Sequence, residues 1–421
     1  MGAPAASVIV VIHAGVDRLD DAIASLASEA SRGVQVVLVD NGSEDDVAEA
    51  ARRRYAWAKV VRSDANLGFS GGVHLGVEAA DGDVLVLLND DAAAEDGFVE
   101  AHLDALARHP EAAATAGRLI SWDRRRHDFL RGRVTFDAHA FQIGQGLPVH
   151  AGDPPADGEP LPFPCGGNMA VRRRDWERAG GFDRELFAYF EDVELGWRLT
   201  AMGRDVIAAP AAVARHRGSA TSARLGDFRR GVLFERNALR VFFACADEDC
   251  RAAFGSAVLV TFLHRLAAFA AADRDLGWWA ADPFGSSSTP PDRASRWRRR
   301  LRDGGPGAFL RHLVTRIVGG ARVGMPTLDD GFVLMQLRAA RGFADGLGAT
   351  TARRRSLDAV RTVPDRDLLT RFPRLVVPTY RGDAELFASD SFRDLLPAGW
   401  PLEWSDLADL LDRSVSGVGD G

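Results

Sequence analysis

The stretch VLVLLNDD, residues 84–91, decides the fold: five apolar residues in a row, then three polar ones. An unbroken apolar run of this length marks a strand buried on both faces, as in a parallel sheet covered by helices. Val8–Ile12 has the same character, and so has Val34–Val39 but for Gln35. Between the runs lie polar, alanine-rich segments with helical spacing, Asp20–Ala30 and Glu44–Arg54. Short buried strands alternating with helices predict an α/β class, a doubly wound and mostly parallel sheet. Ligands of such a sheet sit beyond the carboxyl ends of its strands.

Those ends are polar. The first strand runs into His13-Ala14-Gly15, the second into Asp40-Asn41-Gly42-Ser43, the fourth into Asn89-Asp90-Asp91. Asn41-Gly42 is also ordinary turn chemistry, and Ser43 suits a helix cap before Glu44. Asp40 at the strand terminus is harder to explain that way. Adjacent carboxylates at a strand tip raise each other's pKa unless something positive sits there. A hard divalent cation held by one carboxylate and substrate phosphates meets that need. An Asn-Asp-Asp loop is a common turn as well.

Composition narrows the class. The chain has 421 residues, 46% hydrophobic and 26% charged, with a net charge of −7. It is long enough for one main domain plus substantial additions. The near balance of charge argues against a nucleic-acid binder. Cys165, Cys245 and Cys250 have no zinc-type spacing and are too few for a disulfide framework. A reducing cytosol suits them, and nothing near Val8–Ile12 reads as a signal peptide. Ala252–Ala272 is apolar but broken by His264 and Arg265, so it is expected as a docked helix rather than a membrane span.

Near residue 222 the character changes. Residues 1–221 read as the α/β domain and 222–421 as a mainly helical region, with helices expected over Phe228–Cys245, over Ala252–Ala272 and on to about Leu347. Residues 282–292 are a linker by composition. The basic run RASRWRRRLR, 293–302, suits either a solvated helix face or an anionic membrane surface. The proline-rich end is expected to be irregular.

Three further segments carry polar groups in telling company. Cys165-Gly166-Gly167-Asn168 follows an apolar approach, and paired glycines mark either a tight bend or backbone held close to a ligand or to another strand. Glu191-Asp192-Val193-Glu194 follows an aromatic cluster and opens a helix. Acidic residues favour that position through the helix dipole; the alternative is a general base at the mouth of an apolar pocket. His216 comes after the strand-like Asp205–Pro210; His13, His74, His102 and His150 read as surface or core residues.

Taken in order, these pieces are a pattern. From about Ser7 to Thr221 the chain resembles the family-2 inverting glycosyltransferases of the GT-A fold, nearest to their rhamnosyltransferase-like and galactofuranosyltransferase-like members. The matching residues are Val39–Ser43, Asn66–Gly72, Leu87–Asp91, Gly166–Met169, Gly181–Asp183 and Glu191–Leu195, with Arg198 and His216. The resemblance implies a sugar transfer from a nucleotide-diphosphate donor, a dTDP- or UDP-sugar with dTDP-rhamnose foremost, to an acceptor hydroxyl with inversion. It places Asp40 at the nucleobase, and Asn66 and Gly68 against the nucleotide. It puts Asn89 and Asp90 at the donor, Asp90 near the ribose. Asp91 and His216 would hold Mn2+ or Mg2+, the histidine tilting the choice toward Mn2+. Gly167, Asn168 and Glu191 would border donor sugar and acceptor, and Asp192 would be the base. An aspartate of ordinary pKa, about 3.9, serves as a base at neutral pH without tuning.

Two positions depart from the family pattern. Asn89 replaces a frequent aspartate, and His74 stands where asparagine is common. The acceptor implied is a glycan, a lipid-linked molecule or a small molecule, and nucleic acid is not a partner. The expected location is cytoplasmic, with a peripheral contact at the inner face of the membrane as one role of the helical region and a homodimer contact as another. Two rivals remain: a non-catalytic nucleotide-sugar-binding module on the same fold, and a nucleotidyltransferase, which needs a glycine-rich basic loop that residues 13–17 (HAGVD) do not supply.

Overall fold

Strand β1 (Ala6–Ile12) is buried along its whole length, because every one of its residues meets either a neighbouring layer or a flanking strand. It pairs in parallel with β2 (Gln35–Asn41) on one side and β4 (Val84–Leu88) on the other, and β3 (Lys59–Ser63) extends the sheet beyond β2. The computed structural model describes residues 4–12, 19–43, 47–217, 222–272, 331–380 and 382–405. The chain steps outward from β1 to β3 and then returns to the far side of β1. That reversal creates the crevice in which an open α/β sheet binds ligand. The segment expected as one helix over Asp20–Ala30 divides at Leu26 into α1 (Leu19–Ser25) and α2 (Ala27–Ser31). Helices α3 (Val47–Arg54) and α4 (Gly68–Ala79) complete the parallel half.

Beyond β4 the sheet becomes mixed. Its order is β3-β2-β1-β4-β10-β6-β11-β5, with β7 (His127–Phe129) joined to β6. Strand β10 (Asn168–Arg172) runs antiparallel to both β4 and β6 (Ala112–Ser121), and β11 (Asp205–His216) runs parallel to β6. Strand β5 (Ala92–Ala94) lies antiparallel along the end of β11. His216 is therefore the last residue of a long, irregular strand, where the sequence suggested a strand ending at Pro210 and a separate connection. Helices α5 (Phe98–Arg108), α6 (Arg173–Ala179) and α7 (Glu191–Ala201) pack nearby, and β8 (Arg131–Val134) with β9 (Ala140–Ile143) forms a separate hairpin.

The helical region shares the core of the sheet. Leu239, Val241 and Phe242 of α8 (Ser222–Cys245) and Phe254 of α9 (Glu248–Ala272) belong to the same buried cluster as β1 and β4. His264 and Arg265, which interrupt the apolar stretch in α9, dock it: His264 meets the Gly382 carbonyl and Arg265 pairs with Asp137 and Asp383. No helix among the described residues is long and apolar enough to cross a membrane. All three cysteines are buried and unpaired.

The proline-rich end is more ordered than its composition suggested. It holds helices over Leu347–Asp358 and Asp365–Arg371 and a parallel pair of short strands, Arg374–Val376 with Leu402–Trp404. Pro364 sits just before its helix, where a missing N–H costs nothing. The expected linker at 282–292, the basic run at 293–302, the loop at 13–17 and the helix start expected at Glu44 lie outside the described residues.

Candidate active site

Asp40 ends β2 fully buried. Its Oδ1 accepts from the Ser43 amide at 3.0 Å and the Ser43 hydroxyl at 2.7 Å, and Arg62 pairs with Oδ2 at 3.1 Å. The carboxylate thus fixes the strand-end turn. Asn41 does the next job: its side chain receives the Leu67 amide and donates to Asn66 Oδ1 and the Gly68 carbonyl. Asn66 Oδ1 in turn accepts the Gly68 amide at 2.8 Å. Gly68 has φ +71°, and a Cβ there would collide with the Phe187 carbonyl, so only glycine fits.

Strand β4 delivers Asn89, Asp90 and Asp91 to the crevice. The Asn89 amide bonds the Gly167 carbonyl at 3.3 Å, and a Cβ on Gly167 would lie 2.8 Å from the Asn89 side chain. The close approach that paired glycines suggested is therefore real. Asp91 Oδ1 lies 2.9 Å from His216 Nε2, and the other ring nitrogen of His216 is bound to Asp128. Burial disfavours charge on the imidazole, but the bonds to Asp128 and Asp91 outweigh it and push its pKa up to about 10. Burial would raise Asp128; the bond from His216 holds it below the usual range.

An imidazole and a carboxylate converging from two strands fit a divalent cation. So does the second carboxylate on the far ring nitrogen, the usual support of a metal-ligating histidine. Among the described residues no group of three or more His, Cys, Asp or Glu side chains is placed to hold an ion alone. The donor set is open, of the kind that leaves positions for phosphate oxygens and water.

Across Gly166-Gly167 lies the acidic pair. Asp192 is half-buried; its Oδ2 accepts the Gly166 amide at 3.0 Å and its Oδ1 the Val193 amide at 2.8 Å. Glu191 is buried, and its Oε2 has no hydrogen-bond partner among the described residues. Burial, then the charge of Asp192, pushes the Glu191 carboxyl up to about 8; burial raises Asp192 as well, against its two amide bonds. The view of Asp192 as an untuned carboxylate needs correcting. The two groups form a coupled pair, and Glu191 is the natural holder of the shared proton.

Asn168 is also a correction. Its side chain turns away from the crevice, donating to the carbonyls of Arg118 and Ala212 while His102 Nε2 meets its Oδ1 at 2.9 Å. With both amide hydrogens committed to carbonyls, Oδ1 must accept, so His102 carries its proton on Nε2. Burial lowers the His102 pKa to about 4, in keeping with a neutral core histidine. Asn168 is a strut across the sheet, not a wall of the sugar site. Arg198 is likewise internal, bonded to the Ala179 carbonyl, the Arg353 carbonyl and Ser356. His74 holds the Phe182 carbonyl and packs on Trp176.

Sequence reasoning missed Asp128 and Asn41's bridging role. Asp128 lies 88 residues before His216 on a three-residue strand, and nothing local marks it.

Comparison with known proteins bears on this site. Residues 7–179 match the model of the family described as Glycosyl transferase family 2. Over 234 residues the chain is 30% identical to the N-acetylglucosaminyl-diphospho-decaprenol L-rhamnosyltransferase of Mycobacterium tuberculosis, covering 50% of this chain and 75% of that protein. It is 26% identical over 170 residues to the glucosyl-dolichyl phosphate glucuronosyltransferase of Haloferax volcanii, 40% of this chain and 51% of the other. Among solved structures it is similar to a mannosyltransferase from Pyrobaculum calidifontis in complex with GDP-Man and Mn2+, at TM-score 0.41 and 18% identity, over 82% of this chain and 88% of that one. It is also similar to S. aureus TarS, at TM-score 0.43 and 14% identity, over 80% of this chain but only 54% of that one.

Proposed function

The chain belongs to glycosyl transferase family 2, rhamnosyltransferase-like, and on that premise we propose that it moves one sugar from a nucleoside-diphosphate donor to an acceptor hydroxyl with inversion, aided by one divalent cation. The observation that carries the reading is the meeting of Asp91 and His216 at 2.9 Å, one glycine pair away from Glu191 and Asp192. A cation held by Asp91 and His216 would neutralise charge developing on the leaving diphosphate. Asp128 fixes the imidazole with Nε2 toward that position. Glu191 retains the pair's proton, which leaves Asp192 ionised between two backbone amides. Asp192 then accepts the acceptor hydroxyl's proton as its oxygen attacks the anomeric carbon from the face opposite the departing diphosphate. Asn66 and Gly68 line the nucleotide side of the crevice, with Asn89 and Asp90 opposite.

A dTDP- or UDP-sugar is the donor class we favour, with dTDP-rhamnose first because the Mycobacterium relative is by name a rhamnosyltransferase. The names of that relative and the Haloferax one point to a lipid-linked acceptor for this chain too. The test is a thermal-shift panel of nucleotide sugars with Mn2+ or Mg2+, followed by mass spectrometry of products from the donor that stabilises most. Stabilisation by one donor, strengthened by metal, with transfer of its sugar is the expected result. No stabilisation by any nucleotide sugar refutes the proposal, and binding with neither transfer nor hydrolysis favours the non-catalytic module.

A further inference from the structure

Just before the acidic pair, three of four consecutive residues have positive φ without being glycine. Phe187 (φ +66°, ψ −64°) is the centre of a three-residue turn closed by the Ala188 amide on the Leu186 carbonyl at 2.8 Å. That turn is the rare, strained form. Tyr189 and Phe190 follow at φ +71° and +69°, a conformation bulky side chains seldom adopt. Strain of this kind persists only where the surroundings impose it.

What imposes it comes from the helical region. Asn237 of α8 is fully buried, and its amide nitrogen reaches three carbonyls of this one turn: Leu186 at 3.0 Å, Ala188 at 2.8 Å and Tyr189 at 2.8 Å. Next to it, Arg236 donates to the Glu185 and Leu186 carbonyls, each at 2.9 Å, and Phe234 packs on the rings of Tyr189 and Phe190. At its other edge the turn touches the nucleotide side of the crevice, since the Phe187 carbonyl accepts the Ser70 amide at 3.1 Å and blocks any side chain at Gly68. The Ala188 and Tyr189 carbonyls are part-buried in the turn that leads into α7, outside any sheet, so they need a donor from elsewhere. Asn237 is that donor.

We propose that Asn237 is a positioning residue for the reaction: by holding the 186–190 turn in its strained form it sets the start of α7, and with it Glu191 and Asp192, against the donor-binding edge of α4. The inference rests on the transferase reading of that pair. It gives the helical region a part in catalysis, exerted through the turn that carries the acidic pair.

The experiment compares the parent with Asn237→Ala, and with Asn237→Leu, which keeps the branching at Cγ but donates nothing, should the alanine variant not fold. Hydrogen exchange followed by mass spectrometry reads the turn, and steady-state kinetics with the nucleotide sugar active in the parent reads the chemistry. We expect exchange in the peptide over 186–194 to quicken about tenfold while β1 and β4 stay as in the parent. We expect kcat to fall about tenfold to a hundredfold with KM for the donor nearly unchanged, the pattern of a misplaced base. Unchanged exchange over 186–194 overturns the proposal, and so does faster exchange with an undiminished kcat. A parent that turns over no nucleotide sugar refutes the transferase reading instead, and the exchange arm then decides the hold on the turn by itself.

Discussion

Two buried acidic clusters lie close together in this protein and are built on opposite principles. In the first, Asp137, Glu235 and Asp383 surround His139 and Arg265. His139 bridges Asp137 and Glu235, each at 3.1 Å, and Arg265 bridges Asp137 at 2.7 Å and Asp383 at 3.0 Å. Every carboxylate there has a cation. Burial would raise Asp137 and Glu235, yet the charges of His139 and Arg265 hold both below the usual range; His139 itself is pushed up to about 9. In the second cluster Glu191 and Asp192 sit side by side with no paired cation among the described residues, and both carboxyls are raised. The first cluster ties the hairpin β8–β9 to the helical region. The second has no cation of that kind among the described residues, the environment in which functional carboxylates are commonly found. His139 lies 6.1 Å from the ring of Phe190, the residue just before Glu191, so the contrast is not one of location.

The comparison breaks most sharply at Arg265. Arg265→Met leaves Asp137 and Asp383 buried without their guanidinium, and removing one partner of a buried pair costs about 3–5 kcal/mol. Urea unfolding should show that loss as a lower midpoint with an unchanged slope. A loss below about 1 kcal/mol would mean the first cluster is not a paired network in solution.

Asp192→Asn tests the other side. The amide is nearly isosteric and the fold should not notice, but turnover should drop by about a hundredfold or more, or about 2.7 kcal/mol of barrier. Donor affinity, measured by calorimetry with Mn2+, should hold. Equal rates in variant and parent would remove Asp192 from the mechanism.

These two outcomes also explain how far the sequence could be read. Strands β1, β2 and β4 announce themselves because each is a run of branched apolar residues buried on both faces. Strands β5 and β6 do not: Ala92–Ala94 and Ala112–Ala116 are alanine-rich, and alanine is a poor strand former that only tertiary packing places in a sheet. The acidic pair and the strand-end aspartates stood out because charge at the edge of an apolar run needs a reason. Asn168 stood out beside the paired glycines, and its side chain proved to be a strut, since a sequence does not say which way a side chain turns. Asp128 and Asn237 were invisible. Each acts through residues about 50 to 90 positions away, and no spacing rule links them.

Asp128 offers a smaller effect that sharpens the comparison. Its carboxylate pairs with a histidine, as in the first cluster, yet it serves the open site. Asp128→Asn should weaken Mn2+ binding in the presence of UDP or dTDP by about tenfold to a hundredfold, the scale for a group supporting a ligating histidine. Calorimetric titration of Mn2+ reads it directly. An unchanged affinity would assign Asp128 to the surface of β7 rather than to the metal site.

The smallest effect separates the clusters by the sign of a slope. An acid whose folded pKa lies above its unfolded value binds more protons in the folded state at intermediate pH, so stability declines as pH rises. For Glu191 that window runs from about 4.5, its ordinary value, to about 8. Asp137 and Glu235 of the first cluster contribute the opposite slope, and at lower pH, because their folded values are depressed. Glu191→Gln imitates the protonated acid without titrating. The parent should therefore lose stability across the window relative to the variant, at no more than about 1.4 kcal/mol per pH unit for a single proton. Turnover should stay within a few-fold of the parent, because an amide at 191 leaves Asp192 ionised. If the stability difference between parent and variant does not change with pH, Glu191 is not the holder of the proton, and the division of labour within the pair has to be reversed.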